Sequence, residues 1–353
     1  MSLRDDIIAR IQAEGPMRLD DYMTTCLLHP TKGYYTTRDP FGTAGDFTTA
    51  PEISQMFGEL VGLSLAQTWF DQGAPNPFSL AELGPGRGTL MADALRAAAR
   101  VPGFVEAAQI FLVEASPALR DRQKETLSAH RMTHVDDLDA LPKQPLFLIA
   151  NEFFDALPIR QFVREGTGWR ERHVGVKKGQ LIFGLGPAQP QPALADRLGD
   201  TRDGDLVEAS SALAPLVAQI ADQIARDGGA ALIVDYGDWR TLGDTLQALR
   251  AHEKVDPLAG PGEADLTAHV DFEALAQAAK SCDFSRVTPQ GVFLERLGLT
   301  PRAQALAAGL EGDALNEHIA AHRRLTHPDE MGNLFKVIAL YPTGGHPPPG
   351  LEP

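Results

Sequence analysis

The chain has little cysteine, no long apolar run and no block of positive charge. Its two cysteines, Cys26 and Cys282, lie far apart and neither belongs to a Cys-x-x-Cys pair. That excludes a disulfide framework or a zinc ribbon, fits a reducing compartment, and leaves both as packing residues. No apolar stretch approaches the roughly 18 residues of a membrane helix, so the sequence reads as soluble, without membrane insertion. Lys and Arg number 32 against 47 acidic residues, a net charge of −15, and no basic block exceeds a pair. Electrostatic binding of nucleic acid is thereby disfavoured, whereas a cationic cofactor or basic peptide would be drawn in. The first residues lack the apolar core of a secretory signal: Leu3, Ile7, Ile8 and Ile11 sit at helical spacing around Asp5 and Asp6 and predict a first helix. No metal site is expected. His318 and His322, four residues apart, have no third ligand at His-Glu-x-x-His spacing and read as a helix surface pair. Gly62-Leu63-Ser64-Leu65-Ala66 lacks the closing glycine of a nucleophile elbow and falls within a helix.

What is present centres on Phe78 to Thr89. A short apolar run ends in Glu82-Leu83, passes into Gly84-Pro85-Gly86-Arg87-Gly88, and enters an Ala/Leu-rich helical segment, Leu90 to Ala99. This predicts strand, tight turn and helix, with glycines that let a ligand touch the backbone and helix-start N–H groups facing it. Thr89 occupies the place of the third glycine of a dinucleotide fingerprint, and no Gly-Lys-Ser/Thr follows for a phosphate loop. Glu82 would repel a diphosphate but welcome a cationic ligand such as the ammonium and sulfonium of S-adenosylmethionine. Acid-x-Gly-x-Gly-x-Gly resembles motif I of class I methyltransferases. About thirty residues on, Ile110 to Glu114 is an apolar strand ending in an acid, followed by the helix-opening pair Ser116-Pro117. An acid at the end of the second strand suits a ribose diol.

The chain predicts helices at the N-terminus and from Leu19 to Leu28, then a Gly/Thr/aromatic loop read as a lid, then a helix from Pro51 to about Trp69. Strand and helix alternate from Ser79 to about Ala150, with strands at Ser79–Leu83, Ile110–Glu114, Met132–Val135 and Leu146–Ala150, as in a parallel sheet. Asp137, with Asp136 as rival, follows the third strand where methyltransferases place an acid for the adenine amino group. Arg160 to Phe183 reads as an antiparallel insert followed by a loop to Asp205. A strand Ala230–Gly237, an irregular segment to Thr267, a strand Phe284–Thr288, a helix pair between Gly291 and Leu325 and a last strand Leu334–Leu340 complete a seven-stranded, mostly parallel α/β sheet of class I methyltransferase type. Expected boundaries are 1–77 for the N-terminal helical segment and lid, 78–159 and 206–343 for the cofactor domain, 160–205 for the insert, and 344–353 for a disordered tail.

Ligands of open α/β sheets bind beyond the carboxyl ends of the strands. Asn151-Glu152-Phe153-Phe154-Asp155 directly follows the fourth strand and offers two carboxylates beside an apolar wall. That combination suits a guanidinium, whose fork binds carboxylates and whose faces stack on rings. Asp46, Glu52, Gln55, Asp235, Asp238 and His252 are further candidates, each also readable as a loop or turn residue.

Taken together, His29–Tyr35, Gly45–Gln55, Glu82–Gly88, Asn151–Pro158, Ala264–Thr267 and Met331–Phe335 resemble one family nearly end to end, the MidA-like methyltransferases, which include bacterial proteins and a mitochondrial complex I assembly factor. The resemblance implies S-adenosylmethionine as cofactor, held by Glu82, Gly84, Gly86, Gly88, Glu114, Asp137 and Asn151. It further implies methylation of an arginine in a protein, a respiratory complex I subunit by similarity to the mitochondrial member. Glu152 would orient the guanidinium and accept its proton, Asp155 or Asp46 would assist, and Gly45–Gln55 would exclude water. Without a mitochondrial presequence in view, the setting reads as bacterial cytoplasm, or the matrix for a processed form. A small-molecule or other protein methyltransferase, and a non-catalytic chaperone retaining S-adenosylmethionine, are the other readings.

Overall fold

The computed structural model describes residues 2–37 and 48–353; the expected lid residues Gly45 to Phe47, including Asp46, lie outside them. The chain forms two compact units, one drawn from Thr48–Phe154, Ala214–Trp239 and Phe272–Pro353, the other from the N-terminal segment, Asp155–Leu213 and Arg240–Asp271.

The first of these, the sheet unit, is built on strands β1 (Phe78–Leu83), β2 (Ala108–Val113), β3 (Met132–Val135), β4 (Leu146–Asn151), β5 (Gly229–Asp238), β6 (Asp283–Phe284), β7 (Thr288–Pro289) and β8 (Phe335–Tyr341). Their order is β6-β8-β5-β4-β1-β2-β3, with β7 also paired to β8. β5, β4, β1, β2 and β3 run parallel, and β8 runs antiparallel to β5. β1 and β4 are buried at every residue. Their sequences accordingly lack strict alternation of apolar and polar residues, as strands covered on both faces do, with Ser79 and Glu82 as the buried polar residues of β1. One core gathers Trp69, Phe78, Phe104 and Phe147, with ring centroids 5.0–5.8 Å apart.

Two helices frame the turn after β1, Gln55–Asp71 and Thr89–Ala98. They approach so closely that a β-carbon on Gly62 would stand 2.5 Å from the Cα of Ala94, and one on Gly58 would stand 2.7 Å from the Cβ of Asp93. The Glu59 carboxylate, buried between these glycines in sequence, takes the guanidinium groups of Arg96 and Arg302 at 2.5–3.0 Å.

The other unit has its own core, with Leu3, Ile7, Leu19, Tyr22, Tyr34, Val174 and Leu266 at its centre. Met17–Arg18, Arg160–Glu165, Gly168–Lys177, Gln180–Gln189 and Leu206–Ala209 form an antiparallel sheet. The expected insert is therefore present and reaches further than Phe183, because Gly184, Gly186 and Pro187 lie within a strand instead of ending it. A second small sheet, Gln247–Arg250, Glu253–Val255 and Asp265–Thr267, occupies part of the segment read as irregular.

Several expectations are corrected. The helix read from Pro51 to Trp69 is two, Ala50–Ile53 and Gln55–Asp71: Ser54 between them is extended, with φ −159°, and its Oγ accepts the Met56 N–H at 3.2 Å. The late helix pair is three helices, Gln290–Arg296, Leu299–Ala307 and Gly312–Thr326, the first break set by Gly298 at φ +91°. The strand read at Phe284–Thr288 is interrupted where Ser285 turns its hydroxyl onto the Ala339 N–H at 2.9 Å. The tail is packed. Leu351 is buried, Pro349 accepts from Ser64 Oγ at 2.9 Å, and the Glu352 carbonyl takes the Arg286 N–H at 2.8 Å. One apolar anchor and two bonded carbonyls outweigh its Gly/Pro composition. The units also part differently from the expected boundaries: the helix Gln55–Asp71 belongs with the sheet, and residues 240–271 belong with the insert.

Candidate active site

The strand order of the sheet unit reverses at β1, which lies between β4 and β2. Outward connections there leave a crevice beyond the carboxyl ends of the strands. The loop that follows is held open by three left-handed glycines: Gly84 at φ +57°, Gly86 at +54° and Gly88 at +83°. Gly88 caps the helix Thr89–Ala98 without any side-chain bond, so the positive end of the helix faces the loop.

Glu82, the penultimate residue of β1, is 3% exposed, and its Oε2 has no hydrogen-bond partner among the described residues. Burial, and secondarily the charge of Glu114, push its carboxyl up to about 8, against the Met91 backbone N–H. One strand over, Asn151 ends β4, also buried, with its Oδ1 likewise unpartnered. Two buried acceptors without donors, on neighbouring strand ends beside a glycine loop, fit a ligand that brings a cationic donor such as an ammonium. Glu114 lies just past β2. Its Oε1 accepts from the Ser116 N–H at 2.8 Å and its Oε2 from Gln123 Nε2 at 3.2 Å, and burial raises its carboxyl despite these bonds. Asp137 is exposed at the start of the short turn Leu138–Ala140 and makes no capping bond, while its rival Asp136 pairs with Arg120 at 2.6 Å.

Glu152 follows β4 with φ +51°, a left-handed conformation that costs a non-glycine residue about 1–2 kcal/mol. Its neighbours hold it there. Its own N–H donates to the Val234 carbonyl at 2.9 Å, and its Oε1 accepts from the Ala50 N–H and Asn151 Nδ2, both at 3.1 Å. The fully buried Asp235 takes the Phe154 N–H at 2.9 Å, and Phe153 lies so near the loop that a β-carbon on Gly84 would meet its ring at 2.9 Å. The strain is thus held by bonds from three separate segments at a strand end beside the glycine loop. Glu52 accepts from Thr89 Oγ1 at 2.7 Å, tying the short helix Ala50–Ile53 to the loop. Gln55 opens the next helix.

Asp155 is the first residue of the other unit and is buried; its carbonyl takes the Ala268 N–H at 3.0 Å. Nearby, Tyr35 donates its phenol proton to Asp265 Oδ1 at 2.7 Å, and burial followed by the charges of Asp265 and Asp155 holds that phenol well above its ordinary range. His252, with Ala251, forms a left-handed hairpin turn between Gln247–Arg250 and Glu253–Val255, a purely conformational position. His318 and His322 bond Ala303 O and Thr300 Oγ1 within their helix cluster. The sequence reading named Tyr35 only as the end of the His29–Tyr35 segment and missed Gln123 and His134. Gln123 sits in a strongly polar helix, and its position carries no pattern that separates it from its neighbours.

An open sheet reversing at β1, a three-glycine turn and acids at the ends of β1 and β2 define a class I methyltransferase. Residues 60–290 match the profile of a family described as putative S-adenosyl-L-methionine-dependent methyltransferase, and the chain belongs to this family of S-adenosylmethionine-dependent enzymes. It is 35% identical, over 97% of its length and 85% of the relative's, to the Drosophila melanogaster protein named protein arginine methyltransferase NDUFAF7 homolog, mitochondrial. The Homo sapiens protein arginine methyltransferase NDUFAF7, mitochondrial, is 34% identical over 95% of this chain and 82% of that protein. A Burkholderia thailandensis protein crystallised with S-adenosyl-homocysteine superposes with a TM-score of 0.83 at 30% identity, covering 96% of this chain and 91% of that one. The named arginine methyltransferases are mitochondrial, so the cytoplasmic expectation finds no support among them. No helix of the described residues is long and apolar enough to cross a membrane.

Proposed function

We propose that this protein methylates an arginine side chain of a protein substrate, and that Glu152 is the residue that handles the acceptor's proton. The cofactor, when bound, supplies an electrophilic methyl group. Glu82 and Asn151 would take its cationic end, the glycine loop its backbone-facing surface, Glu114 the ribose diol, and Asp137 the adenine edge. Arginine stays protonated in water, so its attacking nitrogen must give up a proton as the new bond forms. The carboxylate of Glu152 can hold a guanidinium and accept that proton, with Asp155 or Asp46 assisting. The single observation that carries this reading is the strained, bonded carboxylate of Glu152 at the end of β4; the names of the relatives support the choice of arginine. We further propose a respiratory complex I subunit as acceptor, with the mitochondrial matrix or a bacterial cytoplasm as setting. Mass spectrometry of methyl groups transferred to whole-cell protein tests this. Methylated arginine is the expected product. Transfer elsewhere would indicate a methyltransferase of different specificity, and no transfer with cofactor bound would indicate a chaperone.

Glu82 provides a separate check. With a carboxyl near 8 in the folded, ligand-free protein against an ordinary value of 4.5, it is mostly neutral at pH 7. Pairing it with a cation must therefore release a proton. Affinity for S-adenosyl-homocysteine is expected to rise by up to about tenfold per pH unit between about pH 6 and about pH 7.5, with proton uptake by the buffer visible when titrations in two buffers are compared. Glu82→Gln should flatten this dependence. The same linkage sets the sign for stability. Below 4.5 the group contributes nothing, and as pH rises from there toward 8 the unfolded carboxyl ionises first, so the ligand-free fold loses stability over that window.

A further inference from the structure

Gln123 is fully buried in the helix Pro117–Thr126, a helix otherwise mostly charged. Its side-chain amide is bonded at both ends. Nε2 donates to the Gly86 carbonyl at 2.7 Å and to Glu114 Oε2 at 3.2 Å, and Oε1 meets His134 Nε2 at 2.8 Å. The orientation follows from chemistry alone. A carbonyl and a carboxylate on one side both require a donor, so the amide nitrogen faces them, the oxygen faces His134, and the imidazole must carry its proton on Nε2. The same side chain packs on the loop, since a β-carbon on Gly88 would stand 3.5 Å from Gln123 Cγ. His134 is opposite Leu112 in the β2–β3 register, which fixes the far end of the chain of bonds to the sheet.

We infer that Gln123 is a positioning residue for cofactor binding, a single amide that sets the glycine loop and the Glu114 carboxylate in one fixed relation before the ligand arrives. The inference rests on Glu114 as the acceptor for the ribose diol. Glu114 Oε1 accepts from the Ser116 N–H and Oε2 from Gln123 Nε2, and the Ala115 backbone N–H also favours the charged form. These bonds fix the plane of the carboxylate, and the remaining lone pairs are then presented as a two-point acceptor for adjacent hydroxyls. Removing the Gln123 donor loosens one oxygen of that carboxylate and also releases the Gly86 carbonyl from its bond to the amide.

The test is calorimetric titration of the full chain with S-adenosyl-homocysteine and with its 2′-deoxyribose analogue, using wild type, Gln123→Met and His134→Phe. The ratio of the two affinities reads the Glu114–ribose contact specifically, which a change in global stability would not move. Wild type is expected to prefer the ribose form by at least tenfold. Gln123→Met should bind the ribose form at least tenfold more weakly and bring the ratio near one. His134→Phe, which removes only the outer bond, should move both quantities in the same direction by about two- to fivefold. An unchanged ratio in Gln123→Met overturns the role of Gln123 while leaving Glu114 intact. A wild-type ratio near one overturns the ribose contact and, with it, the inference. If Gln123→Met does not fold, His134→Phe decides: no change in its ratio overturns the proposal.

Discussion

Gly86→Val is expected to weaken S-adenosylmethionine binding at least about a hundredfold. The residue sits at φ +54°, where a β-branched side chain meets its own backbone and the conformation is a severe outlier. Relief would require the loop to turn, and the loop cannot turn cheaply: the Gly86 carbonyl is bonded to the buried Gln123, and Gly88 packs on the same side chain. The valine methyl groups would also stand where a ligand approaches the backbone. Calorimetric titration measures the loss, and urea unfolding shows whether the variant remains folded. A folded Gly86→Val protein that binds within about fivefold of wild type would remove the glycine loop from the cofactor site.

Glu152→Gln is expected to lower kcat by about 10²–10⁴-fold while cofactor affinity changes by less than about threefold. The substitution is selective because the amide oxygen of glutamine still accepts from the Ala50 N–H and from Asn151 Nδ2, the two bonds Glu152 makes through Oε1. The tie to the short helix survives, whereas proton acceptance and charge are lost. Radiolabelled methyl transfer into protein gives kcat, and S-adenosyl-homocysteine titration gives affinity. A large loss of affinity with preserved turnover per bound cofactor would place Glu152 on the cofactor side; unchanged turnover would remove it from the chemistry.

The parallel sheet was legible because most of its strands are short, mainly apolar runs closed by Gly, Glu, Asn or Asp, and the glycine loop because three glycines at alternate positions follow the first of them. Glu82, Glu114 and Glu152 were found as acids at strand ends, a local pattern. Gln123 was not, since its importance comes from three partners on separate segments, Gly86, Glu114 and His134. The extension of the insert to Gln189 was hidden by its glycines and proline, which sit in an exposed strand where ladder bonds tolerate them. The ordered tail was hidden because composition does not register a single well-placed Leu351. Division of the chain into units was the least readable feature. Segments distant in sequence share a core, and nothing in the spacing of residues 240–271 tells which core they join.

The contact between the helices Gln55–Asp71 and Thr89–Ala98 has a consequence for evolution of the site. Gly58 and Gly62 leave no room for any side chain against Asp93 and Ala94, and the second helix begins at the glycine loop itself. If that loop holds the cofactor, as proposed above, selection on binding acts also on Gly58 and Gly62. A lineage that lost either glycine would have to move one helix backbone away from the other, because the added carbon meets main-chain atoms: the Cα and carbonyl of Ala94 for Gly62, the carbonyl of Leu90 for Gly58. The two surfaces are constrained to change together or not at all.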